Sequence, residues 1–253
     1  KPEAVSELDA IINSFDGVLV ARGDLGVEVG YEKVPIIQNR IIRLSHKYGK
    51  PVILATQMLD SMIHSNIPTR AEVNDVAVSV QQSCDAVMLT AETSIGRFPV
   101  EAIKMMKSII QKMEEEIKQY PDYKGLNPLM NKMTVQSSIS HSACSISKEL
   151  NIDLIVAMTE SGSSAISISS FRPKTHIIAM SPNKDVCKKL SMIWGLEAIY
   201  TSEFKNSDQM IKSVEKYLVQ NKILKKGESY IIIAGVPVGI SGTTNLIRVE
   251  KVN

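Results

Sequence analysis

The chain lacks the features that mark the more specialised protein classes. Its three cysteines, Cys84, Cys144 and Cys187, are odd in number and far apart, with no Cys-x-x-Cys pair. Neither a disulfide framework nor a zinc site is indicated, and all three read as small buried hydrophobes. No stretch approaches the roughly 18 uncharged apolar residues of a membrane span, and the amino-terminal Lys1-Pro2-Glu3-Ala4 has no apolar signal core. A formal net charge of +2 over 253 residues, with the basic residues scattered, offers nucleic acid no footprint. The expectation is a soluble cytoplasmic protein with neither membrane nor nucleic acid as partner. With 44% hydrophobic residues, the chain can bury a core in one large domain or two modest ones.

What is present is a strand ending that recurs. Gly17-Val-Leu-Val-Ala-Arg-Gly-Asp24, Pro51-Val-Ile-Leu-Ala-Thr56-Gln57 and Ala86-Val-Met-Leu-Thr-Ala-Glu92 are short apolar runs bounded by turn signals, with Val20, Leu54 and Met88 at equivalent places 34 residues apart. Such runs read as buried parallel strands, and the intervals leave room for a helix each. Each run ends on a polar side chain, Asp24, Thr56 or Glu92, and ligands of parallel α/β folds sit at the carboxyl ends of strands.

The intervals carry helix signatures of their own. Ile37, Ile41, Ile42 and Leu44 form one stripe over 36–48, closed by Gly49-Lys50-Pro51. Thr69 with Glu72 makes a capping box ahead of Val73, Val76, Ala77 and Val80. A third helix is predicted over 99–118 from Pro99 and the spacing of Ile103, Met106, Ile110, Met113 and Ile117, with Glu114, Glu115 and Glu116 as its solvated end.

The composition changes over 119–133, where two prolines, a glycine and no periodicity mark a linker. Beyond it, strand-like runs at 153–158, 176–180, 198–201, 230–234 and 245–252 alternate with helical stretches at 134–150, 163–171, 184–192 and 207–221. This alternation predicts a small doubly wound α/β domain over 134–253. Residues 1–118 pose a different problem. Three parallel strands leave a sheet face bare, and a closed eight-stranded barrel needs roughly 200 residues or more. The expected architecture is therefore the last three βα units of a TIM (β/α)8 barrel over 1–118, and the chain is expected to be the carboxyl-terminal part of a longer protein.

Set in order, Ala21-Arg22-Gly23-Asp24-Leu25-Gly26, Ala55-Thr56-Gln57-Met58, Pro68-Thr69-Arg70-Ala71-Glu72 and Met88-Leu-Thr-Ala-Glu92-Thr93 closely resemble pyruvate kinase. The resemblance extends through Thr159-Glu-Ser-Gly-Ser-Ser164, Phe171-Arg-Pro173 and Gly235-Val-Pro-Val-Gly-Ile-Ser-Gly-Thr-Thr-Asn245, the last being more like bacterial members. It implies phosphoryl transfer from phosphoenolpyruvate to ADP at the open end of a barrel, with Mg²⁺ or Mn²⁺ and K⁺. Asp24 is then a carboxylate ligand of the divalent ion, a role that suits a hard cation. The backbone N–H groups of Gly23 and Asp24 are placed to receive the substrate carboxylate. Thr56 corresponds to a substrate-contacting threonine that helps relay a proton. Glu92 matches a glutamate near the monovalent ion and proton relay, with helix N-terminal electrostatics as its alternative role. Arg22 matches as well, in a position that suits tying strands or subunits rather than touching substrate.

The resemblance also marks what is missing from this sequence. The family's Lys-Ile-Glu run, with its phosphate-stabilising lysine and second metal carboxylate, would precede Lys1, and the K⁺ ligands and nucleotide lid would lie further upstream. Because phosphoryl transfer rests on positioning and electrostatics, the 253 residues alone are expected to be inactive. In the second domain the resemblance implies an allosteric phosphate site at Thr159, Ser161, Gly162, Ser163 and Ser164, covered by a loop bearing Gly235, Gly239, Ser241, Gly242 and Thr243. Glu160 would repel a dianion there, which keeps a monophosphate such as AMP or a hexose monophosphate open as the effector. A homotetramer is implied too. Two other readings stand beside the enzyme: a non-catalytic phosphate-effector or subunit-interaction module, and a metal-dependent aldolase of the phosphoenolpyruvate barrel superfamily, which would give the second domain no purpose.

Overall fold

The computed structural model describes residues 1–119, 134–239 and 242–252. Contacts divide the chain into two units, Lys1–Leu129 and Met130–Asn253. Apart from Gln119, the expected linker lies outside the described residues. No helix among the described residues is long and apolar enough to cross a membrane.

The first unit opens with two short helices that the sequence pattern did not announce, α1 (Pro2–Ser6) and α2 (Leu8–Ser14), neither of which has a side-chain cap. Then come β1 (Val18–Ala21), α3 (Arg22–Val29), α4 (Val34–Lys47), β2 (Val52–Ala55), α5 (Arg70–Gln81), β3 (Ala86–Met88), α6 (Ala91–Ser94) and α7 (Pro99–Gln119), with 3-10 turns at Tyr31–Lys33 and Asp60–Ile63. The three strands form one parallel sheet in the order β1-β2-β3. Among the described residues it does not close, as befits part of a barrel.

The register departs by one residue from the alignment of strand endings. Val20 lies beside Leu54, but Leu54 lies beside Val87, and Met88 pairs with Ala55. Packing explains the difference. Val20 and Leu54 are buried against Ile37, Ile41 and Ile42 of α4, with Val87 packed on the same cluster. Met88, one residue on, therefore points to the other face. That opposite face is bare enough to leave Leu19 47% exposed. In α7 the buried stripe is Ala102, Met106 and Ile109, packed with Val76 of α5 and with Met58, Leu59 and Met62. Ile103, which the periodicity placed inward, is 55% exposed.

The second unit runs α8 (Val135–Glu149), β4 (Leu154–Met158), α9 (Ser163–Ser170), β5 (His176–Ser181), α10 (Lys184–Leu190), β6 (Leu196–Tyr200), α11 (Ser207–Gln220), β7 (Ser229–Gly235) and β8 (Thr244–Lys251). Its strand order is β6-β5-β4-β7-β8, with only β8 antiparallel among the pairings. One face packs on Ala143 of α8, Ala165 and Ile168 of α9 and Leu190 of α10. The other packs on Met210, Ile211, Val214 and Leu218 of α11. Helices on both faces make the unit doubly wound, and the order in which strands are added switches sides between the parallel neighbours β4 and β7, where such sheets bind ligands. Of the three cysteines only Cys84 is buried. Cys144 of α8 and Cys187 of α10 are half-buried, and burial still pushes the Cys187 thiol upward.

Candidate functional site

At the carboxyl end of the first sheet the chain turns from β1 straight into α3, with no side chain capping Ala21. Arg22, the first helical residue, turns inward and is 7% exposed. Its Nη2 donates to the carbonyls of Thr56 at 2.9 Å and Gln57 at 3.0 Å, and its Nη1 pairs with Asp75 at 2.6 Å. The side chain thus ties β1 to the segment after β2 and to α5. Thr56 and Gln57 both hold left-handed backbone, with φ of 67° and 54°. For a β-branched threonine this is a costly conformation that the surroundings must impose.

Glu92 grips the same segment from the other side. It is 1% exposed, and its Oε1 accepts the Leu59 N–H at 3.1 Å while Oε2 accepts the Thr90 N–H at 2.8 Å. Both carboxylate oxygens are engaged by backbone donors, and the contact to Leu59 goes beyond helix-terminus electrostatics. The segment 56–59 is therefore held by a guanidinium from the start of α3 and a carboxylate from α6.

Thr56 Oγ1 accepts the Gly23 N–H at 2.9 Å and donates to the Ala55 carbonyl at 2.6 Å. The Gly23 amide, expected to receive a substrate carboxylate, is thus engaged by Thr56 in this structure. Asp24, next in the chain, is exposed in the first turn of α3, without a hydrogen-bond or ion-pair partner for its carboxylate among the described residues. It lines an open recess with Leu19, Leu25 and Glu28, and Glu28 is a second carboxylate that the sequence reading did not single out. No three candidate metal ligands cluster among the described residues. Asp24 therefore suits one carboxylate position around a divalent ion, but the described residues do not supply a full ligand set.

The second unit has a small open pocket at its switch point, with a volume of about 40 Å³, in the crevice where doubly wound sheets bind ligands. Lining it are Thr159, Ser161, Ser163 and Ser164 after β4, and Gly235, Gly239, Gly242, Thr243 and Thr244 around the β7–β8 connection. Ser241 lies outside the described residues. Gly162, with φ of 89°, is the N-cap immediately before α9, and its N–H donates to Thr159 Oγ1 at 2.9 Å. That amide is spent inside the turn. Ser164 is buried and shares a 2.5 Å hydrogen bond with Thr244 Oγ1. Ser161 and Ser163, which bond each other at 3.2 Å near the surface, are the more accessible pair. Glu160 lines the cavity as well, joined by Glu203, which no sequence signal marked. Burial, and then the Glu203 carboxylate, push the Glu160 carboxyl above the ordinary glutamate range.

Comparison with known proteins accounts for both units. The family model for the pyruvate kinase barrel domain matches residues 1–103, and that for the pyruvate kinase alpha/beta domain matches residues 137–250. A pyruvate kinase of Methylorubrum extorquens is 42% identical over 252 residues, covering 100% of this chain and 52% of its own length. One of Clostridium acetobutylicum is 39% identical over 250 residues, covering 99% of this chain and 53% of its own length. The chain thus spans about half the length of the curated relatives it matches. The crystal structure of a pyruvate kinase from Cryptosporidium parvum superposes with a TM-score of 0.86 at 32% identity, covering 100% of this chain and 50% of that one. With its two units matched in order to the two domains of one enzyme and its whole length superposed on a solved member, the chain belongs to the pyruvate kinase family.

Proposed function

We propose that the protein carrying this chain is a pyruvate kinase, moving a phosphoryl group from phosphoenolpyruvate to ADP in glycolysis. Residues 1–118 would form part of the catalytic barrel, and residues 134–253 an α/β regulatory domain. The observation that carries the reading is the pairing of Gly23 with Thr56, which brings the exposed Asp24 carboxylate and the Thr56 hydroxyl to one end of a parallel sheet. Asp24 would offer one oxygen ligand to Mg²⁺ or Mn²⁺, an ion that neutralises charge developing on phosphoryl and enolate oxygens. K⁺ would be held by the family's earlier barrel strands. Thr56 would contact substrate once its hydroxyl hydrogen turns away from the Ala55 carbonyl. Glu92 and Arg22 would hold the Thr56 segment in place, and the protein would act as a cytoplasmic homotetramer. The test is pyruvate release from phosphoenolpyruvate and ADP. A version extended upstream to the relatives' length is expected to turn over in the presence of Mg²⁺, and the 253 residues alone to be inactive.

A second reading, a phosphate-effector module without catalysis, is supported by the second-unit cavity, whose lining comes from that unit alone. Calorimetric titration of the 253-residue chain with AMP, glucose 6-phosphate and fructose 1,6-bisphosphate tests it. Binding of the monophosphates in preference to the bisphosphate is expected.

A further inference from the structure

The second-unit cavity has a charge distribution that a plain phosphate ester matches only at one side. Ser161, Ser163 and Thr243 bring hydroxyls to it, and α9 begins at its edge. These groups can hold one anion without a basic side chain. The remaining charge is negative: Glu160 and Glu203 both line the cavity, and no lysine or arginine does so among the described residues. Among the described residues the two carboxylates have no salt-bridge partner within it. Glu160 is half-buried, so its charge is poorly screened, and the two carboxylates repel each other across the opening. Further negative charge on a ligand is disfavoured beside them. A positive group there relieves the repulsion and gains charge-assisted hydrogen bonds.

We propose that the cavity takes a phosphate monoester that also carries an ammonium group, with the phosphate on Ser161, Ser163 and the start of α9 and the ammonium facing Glu160 and Glu203. This rests on reading the cavity as a phosphate-effector site. It goes further by assigning the chemistry of the ligand's other end and a role to Glu203.

Glucosamine 6-phosphate and glucose 6-phosphate form a matched pair that differs at one carbon, ammonium against hydroxyl. Calorimetric titration of the chain near neutral pH is expected to give roughly tenfold tighter binding of the amine. That preference should collapse toward unity in Glu160→Gln and in Glu203→Gln, two substitutions made separately so that a folding defect in one leaves the other readable. Glucosamine without phosphate should bind far more weakly. Equal affinity for the two phosphates, or a preference that survives both substitutions, would overturn the ammonium assignment and leave the phosphate site standing. If neither phosphate binds, the effector reading itself is overturned and the assignment falls with it.

Discussion

The Nη2 of Arg22 lies 2.9 Å from the carbonyl oxygen of Thr56, joining the end of β1 to a residue held in left-handed backbone after β2. The same guanidinium reaches Gln57 and Asp75. Replacing Arg22 with Met leaves two carbonyls and a carboxylate without their donor, and the cost should be about 3 kcal/mol in a denaturant titration. Lysine recovers only part of it, because a single ammonium cannot reproduce the planar fork. An unchanged unfolding midpoint in Arg22→Met would show that Thr56 is held by something else.

The second prediction concerns the cap of α5. Thr69 and Glu72 complete a capping box, and Glu72 also receives the Ser61 N–H at 2.7 Å. Burial alone would raise the Glu72 carboxyl, but hydrogen bonds from Ser61 and Thr69 outweigh it and hold the group below the ordinary glutamate range. A depressed folded value means that the stabilisation is fully present above the unfolded glutamate value of about 4.3 and is lost as pH falls through the folded value. Thr69→Ala should cost about 1 kcal/mol near neutral pH. Urea titrations from neutral pH downward should show a shallower acid decline in Glu72→Gln than in the parent, and parallel curves would contradict the linkage.

Strands and most helices were legible because they rest on local signals: apolar runs for β1, β2 and β4, a capping box for α5 and an apolar stripe for α4. The short helices α1 and α2 were not, since neither has a side-chain cap. The Arg22-Gly23-Asp24-Leu25-Gly26 segment, weakened as a helix by two glycines, nonetheless opens α3 with Arg22 anchored inward. The site was legible as residue types at strand ends. What sequence could not supply was the use of each group: the Gly23 amide committed to Thr56, both Glu92 oxygens committed to backbone, and Glu203 brought to Glu160 by a separate loop.

Gly162 supplies the third prediction. It sits at φ of 89°, and an added Cβ would lie 3.1 Å from Leu190 Cδ2. Gly162→Ala should destabilise the second unit by about 1 to 2 kcal/mol through backbone strain, and phosphate-ester binding should weaken with it as the turn presenting Ser161 and Ser163 shifts. Thermal unfolding followed by calorimetric titration reads both effects. Unaltered stability would mean that the turn is less constrained than its geometry indicates.

Assembly gives the fourth. The family resemblance implies a homotetramer for the whole protein. A version extended to the relatives' length should scatter light as a symmetric tetramer at micromolar concentration. A monomer at that concentration would remove this part of the proposal.

The account turns on Asp24, an exposed carboxylate at the start of α3 beside the Gly23–Thr56 hydrogen bond. The direct measurement is steady-state pyruvate formation as a function of Mg²⁺ concentration by the extended protein and by its Asp24→Asn variant. If Asp24 holds the divalent ion, turnover should fall by on the order of a hundredfold or more and half-saturation should move to higher Mg²⁺, with the unfolding midpoint unchanged. Parental turnover and an unshifted Mg²⁺ dependence in the variant would contradict the assignment.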